Sequence, residues 1–597
     1  MHYPPAFDEW CHELLCIRPE AYRSFQLAFG GRTERSFRQM RSSKPAFIQG
    51  IGAHTLDRAK EYLQDYGYPR EGPLATGVDD TKLLESLQPY YDGDHKKWFL
   101  VGATGQPMLV ANIDLLQSEI NQARNLKATK LRLWTMSIPL PNVPPLILAA
   151  SPISSKNTAV ELAKMEEDLL RLLILSEENF NIISFGSDGT NVERDARREL
   201  IRSKFAHRVE YQIPHPVVGS PPILIELMKI GERTMASIQD SKHLRKTMRN
   251  NLFTGAKALV LGRHFICFQQ IWDLASFEDS PIYVRDVKKL DRQDDRVAAR
   301  LFAAPTLEYL IEHNSTNLGL IAYLFVFGEM VDAYQNRKIS HLERIKMLLR
   351  AKFFKDIWKS FLKDAGYKTG RYFISSEADD IMDIVINGYL GLIYIHRDKL
   401  GKRFPLLVWI HGTEPNEHSF GFLRIMVPDF TMLDVLQLIP KLRVRLIAAC
   451  KQKNIKADFQ RSAAGYSHTY LDAEDADLHF LALFPTDEEI SSTAKDAYEE
   501  AVMLWELLGY YPTSSSDDGP TSAMVEGGVQ VSDEDCSDDE ESDIDEGEPS
   551  DRQQLQDALD AAAAVQAHQL PSNQVDDTLD ECGYAVASLN LVELQHM

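Results

Sequence analysis

Carboxylates at three places in the sequence could together bind a metal ion. Asp79 and Asp80 stand in "GVDDTKL", Asp188 in "NIISFGSDGTNV" and Glu417 in "GTEPNEHSFGFLR". Hard cations such as Mg²⁺ prefer oxygen ligands and retain part of their water. Two such ions about 4 Å apart can activate an attacking oxygen and stabilise the leaving one in phosphodiester cleavage. This chemistry requires the three places to converge in the fold.

Each of these residues also has an ordinary structural interpretation. Asp79 and Asp80 could form a turn at the end of a strand. Asp188 could form an Asx-type turn or a helix cap, because Ser-Asp-Gly is common turn chemistry. Glu417 could be an acidic residue in the first turn of a helix, where the helix dipole favours it. Both interpretations stay open for each residue taken singly.

The surrounding sequence predicts an α/β core. Apolar runs predict strands at "GPLATGVDD", "KKWFLVGA" and "TKLRLWTMSI", and "PPLILAA" could extend the last of these. "NTAVELAKMEEDLLRLLILSEEN" has the period near 3.6 of an amphipathic helix. The strand "NIISFGSD" and the helix "VERDARRELIRSKF" follow it. This βββαβα order is that of an RNase H-like core, in which strand-end carboxylates and an acidic helix meet.

The rest of the chain is predicted to be mainly helical. Residues 1–70 form a helical N-terminal region, 71–253 the first part of the core, and 254–403 a large all-helical insertion. The stretch "ILIELMKIGERTM" after Pro214 is also interpreted as helical. Residues 404–511 hold the last core helix and the C-terminal helices. Thr413 is predicted to cap the helix that carries Glu417, Phe420 and Arg424.

Residues 512–597 are predicted to be a disordered acidic tail. They hold 22 Asp and Glu against a single Arg, out of a net charge of −22 for the whole chain. Low hydrophobicity with charge of one sign does not offset the entropy of folding. The tail is a candidate site for a protein partner, and Ser532, Ser537 and Ser542 suit acidophilic kinases. The remaining body is nearly neutral, so the acidic balance does not argue against nucleic-acid binding by the body.

Composition favours a soluble protein of a reducing compartment. The start, "MHYPPAFDEW", lacks the features of a secretory signal. The longest apolar run, "LGLIAYLFVFGEMV", is shorter than the roughly 20 residues of a membrane span. Six scattered cysteines do not form a disulfide framework.

Four segments, taken in order, resemble P-element and THAP-domain transposases. "IQDSKHLRKTMRNNLF" resembles their D-x-x-H-x-x-K-x-x-R-N segment, and "SDGTNVERDA" resembles the segment of their second catalytic Asp. "NEHSFGFLR" is similar to their E-x-x-F-x-x-x-R segment. "GVDDTKL" lies where their D-E-M-x-x-K segment would fall, but Lys82 comes earlier than their Lys. The resemblance covers about residues 20–451.

The resemblance implies a DDE catalytic triad and a DNA substrate. Asp79, Asp188 and Glu417 would be the catalytic metal ligands for Mg²⁺ or Mn²⁺, with Asp80 as the alternative first ligand. The family also implies a homo-oligomer and a nuclear location, the alternative location being cytoplasmic. GTP use is unsupported, because no G-x-x-x-x-G-K-[ST] occurs, and the sequence has no Cys/His set like the family's zinc domain.

Three residues of the D-x-x-H segment are candidates for contacts with DNA phosphate. They would lie near the core, where basic side chains fix a protein on the nucleic-acid backbone. The alternative is the solvated side of a helix. The three residues are His243, Lys246 and Arg249.

Three functions follow from these patterns. The first is metal-dependent DNA cleavage and strand transfer. The second is a catalytically inactive, transposase-derived factor that binds DNA or protein. The third is an unrelated helical scaffold, which predicts that Asp79, Asp188 and Glu417 lie far apart.

Overall fold

A computed structural model describes residues 3–42, 46–92, 96–253, 258–288, 291–292, 294–451 and 476–512. The predicted acidic tail lies outside these residues apart from Pro512. In the described part of the chain, every helix is too short or too polar to cross a membrane.

The strands form one large sheet and two small ones. In chain order they are β1 (Leu74–Lys82), β2 (Gln88–Asp92), β3 (Lys97–Val101), β4 (Met108–Val110), β5 (Lys130–Ser137), β6 (Leu146–Ile153), β7 (Ile182–Ser187), β8 (His207–Ile213), β9 (Ile223–Ile230), β10 (Arg233–Gln239), β11 (Leu259–Leu261) and β12 (His264–Ile266).

Helices occupy most of the remaining described residues. They are α1 (Pro5–Ile17), α2 (Pro19–Phe29), α3 (Glu34–Ser42), α4 (Ala53–Asp65), α5 (Leu116–Gln122), α6 (Ala159–Ile174), α7 (Asn191–Arg202), α8 (Ser241–Phe253), α9 (Phe268–Ser276), α10 (Val284–Lys288), α11 (Asp295–Leu301), α12 (Ala304–His313), α13 (Leu318–Gln335), α14 (His341–Asp364), α15 (Thr369–Tyr372), α16 (Ser376–Tyr394), α17 (Glu414–Met426), α18 (Met432–Lys451) and α19 (Asp487–Leu507). Short 3₁₀ turns lie at Ile113–Leu115, Arg124–Leu126, Val408–Ile410 and Phe480–Ala482, and a π-helical turn at Ile395–Lys399 follows α16.

The large sheet is mixed, with seven strands in the order β6-β5-β1-β7-β10-β9-β8. Its centre is parallel, because β7 pairs in parallel with both β1 and β10. On one side β5 is antiparallel to β1, and β6 to β5. On the other side β9 is antiparallel to β10, and β8 to β9. Strands β1 and β7, which precede the candidate aspartates, are therefore direct neighbours.

The predicted strand "KKWFLVGA" belongs to a different sheet. It forms β3, which pairs with β2 and β4 in a separate three-stranded sheet between β1 and β5 along the chain. "PPLILAA" contributes to a strand of its own, β6, rather than extending β5. A short apolar run has the same pattern whichever strand it pairs with, so the sequence could not assign its partner.

The prediction of a helix at "ILIELMKIGERTM" is wrong, since these residues form the hairpin of β9 and β10. Ile223, Ile225 and Leu227 are buried, while Leu224 between the first two is exposed. This alternation has the period of two that is typical of a strand. Gly231 makes the turn at φ +56°, a conformation that glycine adopts without strain.

Helices cover both faces of the large sheet. Leu169 and Leu173 of α6 pack with Val78 of β1 and Trp134 of β5 on one face. A capping box begins α6, in which the side chain of Thr158 accepts from the Glu161 amide.

The opposite face carries α17 and α18. Phe420 and Leu423 of α17 pack with Leu131 and Leu133 of β5 there. Each strand thus presents alternate residues to two different helical layers, which determines where each candidate carboxylate points.

The predicted all-helical insertion is helical apart from one hairpin. Its described residues include α9 to α16 together with the paired strands β11 and β12. The C-terminal helix α19 packs along α14 of this segment, where Trp505 Nε1 donates to the Phe354 carbonyl at 3.0 Å. Helix α16 packs on β10 and β9, which joins the helical segment to the sheet.

Candidate active site

Three neighbouring strands of the large sheet carry an aspartate at the same level: β7 and β10 are each followed by one, whereas β1 continues past its predicted end at Asp79 and Asp80 to Lys82. Val78 of β1 pairs with Ser187 of β7, which pairs in turn with Gln239 of β10. The next residue along each strand is Asp79, Asp188 and Asp240, respectively. Because these strands are parallel, the three residues lie at the same edge of the sheet. Crevices at the carboxyl ends of parallel strands are frequent binding sites.

Strand alternation separates Asp79 from Asp80. The face that carries Val78 is covered by α6, and Asp80 has the same parity as Val78. Gly77 lies on the opposite face, against Asn416 of α17. Asp79, two residues after Gly77, therefore points to the α17 side, whereas Asp80 points to the α6 side.

Two glycines in register let the loop before α17 approach the sheet. Gly77 of β1 pairs with Gly186 of β7. A Cβ atom on Gly186 would lie 2.9 Å from the His411 carbonyl oxygen and 3.3 Å from the Gly412 carbonyl carbon. A Cβ atom on Gly77 would lie 2.9 Å from Asn416 Oδ1. Any larger residue would hold this loop away from the sheet, which makes glycine necessary at both positions.

Asn416 fastens the first turn of α17 to β5. Its Oδ1 accepts from Thr135 Oγ1 at 2.7 Å, and its Nδ2 donates to the Leu133 carbonyl at 2.7 Å. Glu417 is the next residue, so this anchor brings its carboxyl group toward the strand ends. The helix begins after Thr413, but the Thr413 hydroxyl makes no capping hydrogen bond, unlike the prediction.

The carboxyl groups lie close enough to act on one another. Burial raises the pKa of Asp79 well above its usual value, and the negative charges of Asp188 and Glu417 raise it further. Burial likewise raises the pKa of Glu417 to about 8, Asp240 adding to the effect and Lys246 opposing it. The register of β1 and β7 also places Asp79 next to the residue after Ser187, so these two aspartates at least are not remote from each other. Across the described residues, no group of three or more His, Cys, Asp or Glu side chains is already gathered in a way that could hold a metal ion.

Asp80 belongs to a buried ion cluster on the other face. Arg132 is its cross-strand partner on β5, fully buried, with Nη1 3.0 Å from Asp80 Oδ1. The same guanidinium binds both carboxylate oxygens of Glu193 on α7, at 2.6 and 3.1 Å. It also binds Glu166 on α6 at 2.9 Å. Asp80 therefore ties the end of β1 to its neighbours, which leaves Asp79 as the first carboxylate of the candidate site.

Glu166 in this cluster should make stability depend on pH. Burial and the charge of Glu193 raise the pKa of Glu166 from 4.5 to about 7, against the opposing effect of Arg132. The folded state thus holds a proton that the unfolded chain has released. The resulting stabilisation is complete below about pH 4.5 and is lost as the pH rises through about 7.

We expect Glu166→Gln to remove this pH dependence. Between pH 5.5 and 8 the free energy of unfolding of the wild type should fall relative to the variant, with a slope of at most about 1.4 kcal/mol per pH unit. Urea unfolding at several pH values measures the slope. Glu167→Gln is the matched control, because Glu167 pairs with Arg171 on the outside of α6 and its pKa is lowered by that contact. An equal slope in Glu166→Gln and the wild type would contradict the assignment.

The D-x-x-H segment lies on α8, beside the carboxylates. His243 Nδ1 is 3.2 Å from Asp188 Oδ1. Lys246 Nζ is 3.5 Å from Asp295 Oδ1, and the negative charges of Glu417, Asp240 and Asp188 also raise the pKa of Lys246. His243 and Lys246 therefore both face the candidate site.

Arg249, predicted to contact DNA, lies in the interior instead. It is fully buried and donates to the carbonyl oxygens of Asp291, Arg292 and Asp294 at 3.0, 2.6 and 2.7 Å. Its guanidinium thus satisfies backbone acceptors and does not face a DNA phosphate. The spacing of the segment places Arg249 on α8, but burial depends on a loop some forty residues later in the chain.

Several residues of the site were missed in the sequence. Asp240 stands in the D-x-x-H segment, and its place directly after the third parallel strand is not evident from the sequence. Lys242 Nζ binds Glu414 Oε1 at 2.7 Å and so joins the start of α8 to the start of α17. A usable signal was present in the repeated pattern "GVD" and "GSD", in which a glycine precedes each aspartate by two residues on the same face of a strand.

Comparison with solved structures gave a similarity of fold. The chain is similar to a protein described as "Drosophila P element transposase strand transfer complex", with 13% sequence identity and a TM-score of 0.48. The match covers 75% of this chain and 94% of that chain, and it says nothing of activity. No protein-family model matches the sequence, and no curated protein does.

Proposed function

We propose that the protein is a metal-dependent DNA-cleaving and strand-transferring enzyme of the DDE type. Asp79, Asp188 and Glu417 are its catalytic carboxylates. The observation that carries this proposal is the in-register parallel pairing of β1 and β7, which brings Asp79 and Asp188 side by side on the face covered by α17. Two strand-end aspartates and a helix glutamate are a donor set suited to a hard divalent cation.

The topology of the sheet supports an RNase H-like core. The order β6-β5-β1-β7-β10, with β5 antiparallel between β6 and β1 and with β1, β7 and β10 parallel, continues the βββαβα pattern of the sequence. Strands β8 and β9 extend this core at one edge. Helix α17 follows the helical segment and returns to the core with Glu417 in its first turn. The tightly packed glycines Gly77 and Gly186 account for that return.

The residues present fit a divalent cation such as Mg²⁺ or Mn²⁺. The candidate ligands offer only oxygen donors; they are Asp79, Asp188 and Glu417. Their negative charges repel one another in a buried site, and a bound cation would reduce this repulsion. When bound, the cation supplies positive charge to the attacking and leaving oxygens of a phosphodiester. The chain itself contributes position, because the in-register strands and the Asn416 anchor hold the carboxyl groups in a fixed relation.

His243 has a positioning role in this proposal. Its Nδ1 approaches Asp188 Oδ1 at 3.2 Å. The Gly189 amide donates to the same Oδ1 at 2.5 Å. A carboxylate held at one oxygen in this way presents its other oxygen in a single direction. Water or a DNA 3′-hydroxyl would then attack phosphorus in line with the leaving oxygen.

DNA is the proposed substrate and partner. His243 and Lys246 line the site that the sugar-phosphate backbone would enter, whereas Arg249 is buried away from it. A homo-oligomer, a nuclear location and a protein partner of the acidic tail remain part of the same proposal.

The proposed function is tested by Asp188→Asn. We expect Mg²⁺- or Mn²⁺-dependent nicking of DNA by the wild type, and a loss of about 100-fold or more in the variant, because a displaced or missing ligand disturbs the reacting geometry. The assay is nicking of supercoiled and linear DNA by the full chain with each cation. Asp195→Asn is the matched control, since Asp195 lies on the exposed side of α7 and pairs with Arg198.

Two results would overturn the enzymatic proposal. Equal nicking by the wild type and Asp188→Asn would assign the activity to another source. Absence of nicking by the wild type over many substrates, together with retained DNA binding, would favour the catalytically inactive, transposase-derived factor.

A further inference from the structure

Lys246 of α8 is a largely buried cation beside the carboxylate site. Its side chain is 13% exposed, and its Nζ lies 3.5 Å from Asp295 Oδ1. Glu417, Asp240 and Asp188 all act on the ammonium group as negative charges. Lys242, the other lysine of this region, is instead held by Glu414 at 2.7 Å. Lys246 thus has one partner outside the candidate ligands, Asp295, and several negative charges within the site.

Asp295 comes from the helical segment, not from the sheet. It begins α11, which packs against α8. Two arginines of α8 contact the backbone carbonyls of Asp294 and Asp295. Arg249 donates to the carbonyl oxygen of Asp294 at 2.7 Å, and Arg245 approaches that of Asp295 at 3.5 Å. These contacts present Asp295 to Lys246, which lies between the two arginines on α8.

The carboxylate of Asp295 does not cap the helix, and it acts as a negative charge on Arg245 as well as on Lys246. The preceding Asp294 caps α11, since its Oδ1 accepts from the amides of Arg296 and Val297. Asp295 Oδ1 is buried without a hydrogen bond, and the ion pair with Lys246 is its contact there. Asp295 thus does not share the capping role of Asp294, and the ion pair that its carboxylate forms is with Lys246.

We propose that Lys246 is a built-in counter-ion of the carboxylate site, and that Asp295 of the helical segment draws it away when a divalent cation binds. This inference rests on the proposed function. Without a divalent cation, the ammonium group offsets the negative charge of Glu417, Asp240 and Asp188. When a divalent cation binds these carboxylates, it repels the positively charged ammonium group of Lys246. Lys246 then stays paired with Asp295. The helical segment thereby sets how strongly the site binds its cation.

Substitutions at the two positions should move cation affinity in opposite directions. Lys246→Met removes a competing positive charge and should strengthen Mn²⁺ binding about threefold. Asp295→Asn leaves Lys246 without its outer partner and should weaken Mn²⁺ binding about fivefold. If Asp295 acts through Lys246, then Asp295→Asn added to Lys246→Met should change the affinity by less than about twofold.

The experiment is a double-mutant cycle on the full chain, with Mn²⁺ alone as the probe. Titration calorimetry measures the dissociation constant, and thermal unfolding with and without Mn²⁺ gives a second readout that does not depend on catalysis. Lys352→Met and Asp356→Asn are matched controls, because these residues form a similar partly exposed ion pair within α14, at 3.1 Å. Neither control should change Mn²⁺ affinity.

Failure of this inference can be distinguished from failure of the proposed function. If Mn²⁺ binding by the wild type is lost in Asp188→Asn but unchanged in Asp295→Asn, the counter-ion role is overturned and the metal site stands. If Asp295→Asn weakens binding equally in the Lys246→Met background, Asp295 acts on the cation directly and the inference is again overturned. If the wild type and Asp188→Asn bind Mn²⁺ alike, the proposed function fails. If Lys246→Met weakens DNA binding and leaves Mn²⁺ affinity unchanged, Lys246 contacts phosphate and is not a counter-ion.

Discussion

Replacing Arg132 by methionine is expected to lower the free energy of unfolding by about 3–5 kcal/mol. Arg132 is fully buried and binds Asp80, Glu166 and Glu193, which come from β1, α6 and α7. Methionine fills much of the same space but leaves three carboxyl groups without their cation. An uncompensated buried charge costs far more than the net contribution of the intact pair. The loss should be visible as an earlier urea unfolding transition followed by tryptophan fluorescence.

Arg198→Met is the control for this prediction. Arg198 lies on α7 with its side chain 48% exposed, and it pairs with Asp195 and Asp380. Exposed pairs of this kind contribute at most about 1 kcal/mol. Adding Glu193→Gln to Arg132→Met should restore part of the lost stability, because one of the unpaired charges is removed. A cost for Arg132→Met as small as that of Arg198→Met would show that the cluster does not hold the strands and helices together.

The Arg132 cluster also shows where sequence reasoning ends. The apolar runs predict strands that end at Asp79 and Asp188, because a buried strand followed by polar residues has a clear pattern. The local pattern does not choose between Asp79 and Asp80, because the choice depends on which helix covers each face of β1. Only the pairing of Asp80 with Arg132 across β1 and β5 decides it. Register between strands distant in sequence is not encoded in the local pattern of either strand.

Local periodicity was informative where it was read correctly. The alternation in β9 was available in the sequence, and its interpretation as a helix was an error of period. The interior position of Arg249 was not available in the same way. Its acceptors are carbonyl oxygens of Asp291, Arg292 and Asp294, and any residue at these positions supplies a carbonyl. Residues that accept a hydrogen bond through their backbone carbonyl therefore cannot be recognised by residue type.

Gly186→Ala is expected to have the largest effect on the candidate site among small substitutions. The added Cβ would lie 2.9 Å from the His411 carbonyl oxygen and 3.3 Å from the Gly412 carbonyl carbon. Both are backbone atoms, so the clash cannot be relieved by a rotamer change. The loop must move away from β7 and take with it the start of α17, where Glu417 lies. Overpacking of this kind costs about 1–3 kcal/mol of stability.

The displacement should affect cleavage more than folding. A misplacement of about 1 Å at a reacting centre costs on the order of 100-fold in rate. We therefore expect Gly186→Ala to reduce Asp188-dependent DNA nicking about 100-fold or more while the protein stays folded. Gly77→Ala should also reduce nicking, because its Cβ would lie 2.9 Å from Asn416 Oδ1 and would disturb the hydrogen bonds by which Asn416 anchors α17 to β5.

Gly421→Ala is the matched control, since Gly421 lies on α17 itself with open space where its Cβ would be. Alanine is favoured over glycine within a helix, so this variant should be as stable as the wild type or more stable by up to about 1 kcal/mol. Urea unfolding and the nicking assay are measured for Gly186→Ala, Gly77→Ala and Gly421→Ala side by side. Hydrogen exchange over residues 411–417 gives a readout independent of activity, and protection there should fall in Gly186→Ala and Gly77→Ala but not in Gly421→Ala. If Gly186→Ala matches Gly421→Ala in stability, exchange and nicking, then close packing of the 411–412 loop on β7 does not position Glu417.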